Sequence, residues 1–83
     1  MKLFIVMCSN SPELAVDAGP YEIKGGYFDH EKAKTALSEM VEADKEFDFY
    51  PVETMDDYVV SYKNGDEKSS LWSEYKIEPV EVE

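Results

Sequence analysis

The chain opens with two segments whose apolar residues follow strand-like patterns, separated by a stretch of turn residues. Lys2 to Cys8 is almost entirely apolar, which predicts a central strand buried on both faces. Proline and glycine punctuate residues 9–20, so this stretch is predicted to form a loop. Apolar and polar residues alternate from Tyr21 to Phe28, but Gly25-Gly26 interrupts them. A second strand that carries a bulge or ends early is expected there.

The helical periodicity of the chain lies in residues 30–43. Asp29 stands before them as a capping residue, and Glu31 falls in the first turn, where the helix dipole favours an acid. One apolar stripe has helical spacing and consists of Ala33, Ala36, Leu37, Met40 and Val41. The opposite face is polar and consists of Glu31, Thr35, Ser38, Glu39 and Glu42. This pattern predicts a helix from His30 to Ala43 that packs its apolar stripe on a sheet.

Two further strands are predicted directly after the helix. Phe47 to Met55 is rich in strand formers, and Pro51 within it indicates an edge strand or a bulge, because proline cannot donate to a ladder. Asp56-Asp57 marks the next turn. Alternating residues then run from Tyr58 to Tyr62 and stop at Asn64-Gly65, a dipeptide that favours a hairpin turn with positive φ at both central positions.

A last strand is expected on the return from this turn. Leu71 to Ile77 alternates at strand spacing, with Trp72 and Lys76 on the face opposite to the aliphatic residues. Pro79 is predicted to end the strand. Residues 79–83 would then form a short acidic tail that stays mobile unless it pairs.

These elements indicate a single α+β domain over residues 1–83. One helix packed on one face of a four- to five-stranded, mainly antiparallel sheet is the simplest way to bury both apolar surfaces. A helix of about 14 residues is about 21 Å long and covers only part of one sheet face. The other face is therefore expected to stay partly apolar and aromatic, which favours a dimer or a partner.

Acidity changes this picture most. The 83 residues include 19 acidic residues, eight lysines and no arginine, for a formal net charge of −11. The electric field of this negative charge attracts basic proteins and repels phosphate. Without arginine, the chain also lacks the side chains that hold phosphate groups in direct nucleic-acid binding. A hydrophobic content of 43% with 13% aromatic residues is too high for a disordered acidic chain. We therefore expect a folded core under an acidic shell, and a basic protein surface as partner.

Cysteine content and the first residues bear on the compartment. A single cysteine makes no internal disulfide, and the apolar run from Leu3 to Cys8 is too brief for a signal peptide or a membrane span. The protein is expected to be cytoplasmic, in the host cytoplasm if it is phage-encoded, and to make no membrane contact.

Two groups of side chains are candidate partner contacts. The acidic group runs across the end of the predicted helix into the next strand and turn, and consists of Glu39, Glu42, Asp44, Glu46, Asp48, Asp56 and Asp57. Alternate strand residues such as Glu46 and Asp48 would stand about 6.6–6.8 Å apart on one face, which suits separate contacts with basic side chains. Tyr50 and Trp72 join the set because large aromatic side chains dominate protein interfaces. The alternative, that the charge only solvates the surface, stays open.

Enzyme chemistry is not expected from this sequence. Cys8 and His30 are the only cysteine and histidine, and an apolar strand around Cys8 indicates an inert buried thiol. Gly25-Gly26 lacks the lysine and hydroxyl residue of a phosphate-binding loop, and the segment from Asn64 to Glu67 lacks the ligand spacing of a calcium loop. No catalytic residue, metal site or cofactor is assigned.

In its size, acidity, absence of arginine and sheet-plus-helix pattern, the chain resembles the small acidic phage inhibitors, namely the anti-CRISPR proteins and related DNA mimics. The resemblance covers overall character, and no family motif aligns to the chain. It implies stoichiometric inhibition without chemistry, in which the acidic face blocks a basic, nucleic-acid-binding surface of a defence nuclease or nucleoprotein complex. A second hypothesis is a small structural or regulatory protein that forms a homodimer through the uncovered sheet face, with acidity serving solubility alone.

Overall fold

A computed structural model describes residues 1–10 and 22–82 as one sheet with one α-helix. The strands are β1 (Lys2–Asn10), β2 (Glu22–Tyr27), β3 (Phe49–Met55), β4 (Tyr58–Lys63) and β5 (Trp72–Glu81). The helix α1 spans His30–Asp44 and continues into a single 3₁₀ turn, Lys45–Phe47. The sheet order is β2-β1-β5-β4-β3 and every pairing is antiparallel, so the predicted α+β class is confirmed.

Helix α1 forms where the sequence predicts it. The Asp29 carboxylate accepts a hydrogen bond from the Glu31 backbone N–H at 2.9 Å, which satisfies one of the free donors of the first turn. Ala33, Leu37 and Val41 are buried at successive turns of the predicted stripe. Because these side chains share one side of the helix, α1 lies along a single face of the sheet.

The core fills the space between α1 and this covered face of the sheet. It consists of Val6, Cys8, Ala33, Leu37, Val41, Val59, Tyr75 and Ile77. Phe4, Tyr27, Ala36 and Met40 are partly buried around it. Alternation along each strand points the neighbouring residues to the opposite face, which no helix or strand among the described residues covers.

Strand β1 has the predicted interior place in the sheet but not the predicted burial. It lies between β2 and β5, so the centre of the sheet is β5. Val6 is 1% exposed, whereas Ile5 and Met7 on the other face are only half-buried. The predicted interior strand is confirmed, since β1 is paired on both sides, but the predicted burial of both faces is wrong, because one helix can cover only one face. The strand also continues through Asn10, and the rest of the predicted loop lies outside the described residues.

Both predicted irregularities are present in the edge strands. Strand β2 has a bulge where its register with β1 shifts between Val6 and Met7. Strand β3 is the other edge, and its register with β4 shifts between Pro51 and Glu53. Pro51 is thus tolerated at an edge beside a bulge, as its missing N–H requires.

The turn after β4 has the predicted conformation but a longer loop. Asn64 and Gly65 have φ of 58° and 69°, and the Asp66 N–H donates to the Lys63 carbonyl at 3.1 Å, as in a type I′ turn. The Lys63 N–H then donates to the Leu71 carbonyl at 3.0 Å, so the chain rejoins the sheet only at Leu71.

The prediction that Pro79 ends β5 is wrong. The Val82 N–H donates to the Met1 carbonyl at 2.8 Å, and in this register Pro79 and Phe4 form a non-hydrogen-bonded pair. The side of Pro79 that lacks an N–H therefore faces away from β1. On the other side, the pairing of β4 with β5 ends at Tyr58 and Lys76, and one more bond joins the Ile77 N–H to the Asp57 carbonyl. Both stop before Pro79, so its missing N–H costs no ladder bond. The expected acidic tail consequently belongs to the strand through residue 81.

Candidate protein-interaction surfaces

The structure separates the predicted contact residues onto two opposite sides of the domain. Several acids lie on the outer side of α1, whereas Tyr50 and Trp72 lie on the sheet face that α1 leaves open. A single continuous contact surface made of all nine residues is therefore excluded.

The first surface is a shallow area on the outer side of α1 and the 3₁₀ turn. We call it the acidic helix surface and define it by Glu31, Glu39, Glu42 and Glu46. Lys34 borders these four carboxylates. All four glutamates are exposed, because the apolar stripe holds the opposite side of the helix against the sheet. Three of them, Glu39, Glu42 and Glu46, belong to the set predicted from the sequence.

Ion pairs on this surface are few. Glu42 accepts from the Lys45 ammonium at 2.6 Å, an exposed i, i+3 pair. None of the ion pairs among the described residues includes Glu31, Glu39 or Glu46. These three carboxylates are therefore not held in ion pairs and can contact the cations of a partner.

Asp44 has a structural role. It is half-buried at the end of α1 and accepts a hydrogen bond from the Tyr75 hydroxyl. Burial, followed by this hydrogen bond, raises the pKa of the Tyr75 hydroxyl far above its ordinary value. The pair ties the C-terminal end of α1 to β5, so the Asp44 carboxylate is committed to the fold.

The predicted strand row of Glu46 and Asp48 does not form. Glu46 lies in the 3₁₀ turn, and Asp48 follows it with φ of 65°, in the left-handed region. Strand β3 begins only at Phe49, because this left-handed residue reverses the chain into the sheet. The Asp48 carboxylate lies 3.9 Å from the Lys63 ammonium.

Asp56 and Asp57 lie at the other end of the helix, in the turn between β3 and β4. Asp57 Oδ1 is 2.7 Å from His30 Nε2, and the Phe4 ring stacks on the imidazole at a centroid distance of 4.6 Å. This arrangement fixes the N-terminus of α1 on the sheet, which gives Asp57 a structural role too. Asp56 is exposed.

A small cleft lies under the C-terminal end of α1. Its volume is ≈ 420 Å³, and its lining includes Cys8, Asn10, Asp44, Phe47 and Tyr75. Burial, and then the charge of Asp44, raise the pKa of the Cys8 thiol to about 11. A thiol of this kind is a poor nucleophile at neutral pH. His30 stands at the first residue of α1 and contacts Asp57, so Cys8 and His30 form no dyad.

The second surface is the uncovered side of the sheet. We call it the open sheet face, and it includes Leu3, Ile5, Met7, Ile23, Tyr50, Glu53, Met55, Tyr58, Val60, Tyr62, Trp72, Glu74, Lys76 and Glu78. Tyr50 is 43% exposed and Met55 is 58% exposed on the edge strand β3. The sequence identified Tyr50 and Trp72 but missed Tyr62, Glu53 and Glu74, which lie beside them. The alternation of side chains along each strand indicates which residues share a face of that strand. Only the register between strands shows that these residues are neighbours.

Two classes of site are absent from the part of the chain that the structure describes. No group of three or more histidine, cysteine or acidic residues is placed to hold a metal ion there. No helix within the described ranges is long and apolar enough to cross a membrane.

Comparison with protein-family models, with curated proteins and with solved structures gave no match to this chain.

Proposed function

We propose that this protein is a non-enzymatic inhibitor of the anti-CRISPR or DNA-mimic kind. In this proposal the acidic helix surface occupies a basic, nucleic-acid-binding surface of a defence nuclease or nucleoprotein complex. The observation that carries the proposal is the collection of Glu31, Glu39, Glu42 and Glu46 on one exposed surface that the core does not use.

Charge supports this function in two ways. The formal net charge of −11 speeds encounter with a basic partner, and the glutamates on α1 give that attraction a defined place. The helix is also a rigid support, since the Asp57 and His30 contact holds one end and the Asp44 and Tyr75 contact holds the other. Because the backbone of this element is already ordered, binding orders only the glutamate side chains.

The test begins with capture of partners from bacterial lysate on immobilised protein. Elution uses a salt gradient, and a parallel experiment adds duplex DNA as competitor. A partner that binds by this mechanism is a basic nuclease or nucleoprotein that both salt and DNA displace, because the two compete for the same contacts.

Two charge-matched variants then locate the contact on the captured partner. Glu39→Lys with Glu46→Lys and Glu22→Lys with Glu67→Lys each move the formal net charge from −11 to −7, since every reversal adds two charges. We expect the helix variant to lose roughly tenfold or more in affinity and the control variant to change far less. Equal losses would mean that only total charge matters, and an unchanged helix variant would exclude the acidic helix surface.

A further inference from the structure

The open sheet face places three aromatic side chains in one row across three strands. Tyr50 on β3 is paired with Tyr62 on β4, and Tyr62 is paired with Trp72 on β5. Directly paired residues in an antiparallel sheet hold their Cβ atoms about 4.5–5.5 Å apart. The three side chains are therefore neighbours on this face, and we call them the aromatic row.

Carboxylates line the next row of the same face. Glu53 on β3 is paired with Val60, and Val60 is paired with Glu74 on β5. Val60 is buried at the centre of this row, which leaves an acid on each side of an apolar floor. Glu74 is two residues from Trp72 along β5, a spacing of about 6.6–6.8 Å. On β3 the bulge after Pro51 brings Glu53 into the row next to that of Tyr50.

Neighbouring groups hold this arrangement in place. Tyr58 lies on the same face and hydrogen-bonds Glu74, and burial followed by the charge of Glu74 raises the pKa of the Tyr58 hydroxyl. Lys76 lies 3.5 Å from the Glu78 carboxylate, on the side of Glu74 away from the aromatic row. The Glu74 side chain is thus oriented within a network on the face.

Aromatic rings beside carboxylates are the chemistry that recognises a cationic side chain. A guanidinium group stacks on an aromatic ring through its planar face and donates hydrogen bonds to a carboxylate through its edge. Each such contact contributes little at an exposed site and more where the neighbouring apolar surface excludes water. The aromatic row and the two glutamates offer both contacts to one guanidinium.

A second copy of this chain fits the face less well than a basic partner does. Each copy carries a formal charge of −11 and has no arginine. Two open sheet faces in contact would bring together Glu53, Glu74 and Glu78 from each copy. Lys76 is the lysine that the strand pairings place on this face, and it already pairs with Glu78. Charge complementarity therefore favours an arginine-bearing protein partner.

We propose that the open sheet face binds an arginine side chain of a protein partner, with the guanidinium stacked on the aromatic row and paired with Glu53 and Glu74. This site lies on the side opposite to the acidic helix surface and does not depend on it. The two proposals can fail separately.

The fluorescence of Trp72, the only tryptophan, reports binding directly. The probes are three capped peptides of one length, Gly-Xaa-Gly-Xaa-Gly, in which Xaa is arginine, lysine or the neutral isostere citrulline. Titrations are made at 0.15 M salt, where distant charges are screened. We expect the arginine peptide to change the fluorescence and to bind at least threefold more tightly than the lysine peptide, with no saturable change for citrulline.

Two exposed edge-strand variants identify the site without disturbing the core. Tyr50→Leu removes a ring, and Glu53→Gln removes a charge while keeping the shape of the side chain. Both should weaken the arginine peptide at least threefold with an unchanged urea midpoint. Glu22→Gln on the opposite edge strand β2 makes the same charge change as Glu53→Gln and should leave the affinity within twofold, because Glu22 is exposed and lies outside both candidate surfaces.

Three results would overturn the proposal. Equal affinity for the arginine and lysine peptides would reduce the binding to charge attraction. An equal effect of Glu22→Gln and Glu53→Gln would show that the peptide does not bind at the aromatic row. A dimer in sedimentation equilibrium that Tyr50→Leu dissociates would make a second copy the occupant of the face.

Discussion

The covered and open faces of the sheet are built from alternate residues of the same strands and have different chemistry. Toward α1, the strands present mainly apolar residues, with the aromatic rings of Phe4, Tyr27 and Tyr75 among them, and the Ser73 hydroxyl there donates a hydrogen bond to Asn10 at 2.7 Å. Away from α1 they present tyrosine, tryptophan and charged residues. The strand residues that face α1 are thus the ones that folding requires, whereas those on the open sheet face are available to a partner.

Charge is also distributed according to this division. The acids that touch the covered side, Asp44 and Asp57, are each bonded to a partner that fixes one end of α1. Glu39 and Glu46 on the outer side of the helix have no such task. An acidic residue is therefore not a partner contact merely because it is acidic. A carboxylate that holds α1 in place is already bonded within the fold and is not available to a partner.

The largest contrast between the faces is expected from loss of apolar volume. Leu37→Ala opens a cavity under α1 and should lower the free energy of unfolding by about 3 kcal/mol. Met55→Ala on the open sheet face should change it by less than about 0.5 kcal/mol, because Met55 is 58% exposed. Urea unfolding of both variants measures the difference. A cost for Met55→Ala close to that of Leu37→Ala would mean that the open face is itself part of a core.

The tyrosines of the two faces give the next contrast. Tyr75→Phe removes the hydroxyl that donates to half-buried Asp44 and should cost about 2 kcal/mol, because a carboxylate loses its partner. Tyr58→Phe removes a similar contact with Glu74 on the open face, where water replaces the hydroxyl, and should cost less than about 0.5 kcal/mol. Equal costs in urea unfolding would contradict a drier environment on the covered face.

Alkaline pH should weaken the covered face through Cys8. The pKa of this thiol rises from 9.0 to about 11 in the folded chain, so between these values the unfolded chain has lost a proton that the folded chain retains. The contribution of the protonated thiol to the free energy of unfolding is therefore fully present below pH 9, and it is lost as the pH rises toward 11. Unfolding free energies at pH 8 and pH 10.5 should differ by on the order of 1–2 kcal/mol more in the parent chain than in Cys8→Ala. Identical pH dependence would show that the thiol is solvated.

The smallest contrast lies within the covered face, between two serines paired across β4 and β5. Ser73→Ala removes the hydrogen bond to Asn10 and should cost about 1 kcal/mol. The Ser61 hydroxyl is fully buried and has no hydrogen-bond partner among the residues that the structure describes. Ser61→Ala should therefore leave the unfolding free energy unchanged or raise it by up to about 1 kcal/mol. A clear loss of stability in Ser61→Ala would reveal a partner for this hydroxyl.

Local signals in the sequence predicted the elements well and the ends of β5 and β1 poorly. Three features depend only on residues close together in the sequence and could therefore be predicted from it. They are the cap at Asp29, the apolar stripe of α1 and the positive φ of Asn64-Gly65. Pro79 breaks a strand only where its missing N–H faces a neighbouring strand. The register of β4 with β5 decides whether β4 extends as far as Pro79. The presence of the proline in the sequence does not reveal that register.

The candidate surfaces were predicted in part for the same reason. Glu39 and Glu42 lie on the polar side that helical spacing predicts for α1, so the sequence places them together. Glu46 and Asp48 were expected in a strand, but the 3₁₀ turn and the left-handed Asp48 separate them. Tyr50 and Trp72 were chosen for their chemistry, while their neighbour Tyr62 became visible only through two cross-strand pairings.

By itself, the sequence determined an acidic α+β domain with one capped amphipathic helix, because composition, capping and periodicity act over short distances. Tertiary structure alone decided which acids anchor the helix and which face outward, and it alone assembled the aromatic row beside Glu53 and Glu74. The physical reason is that these groupings join residues from different strands, and their proximity follows from sheet order and register rather than from any local preference of the chain.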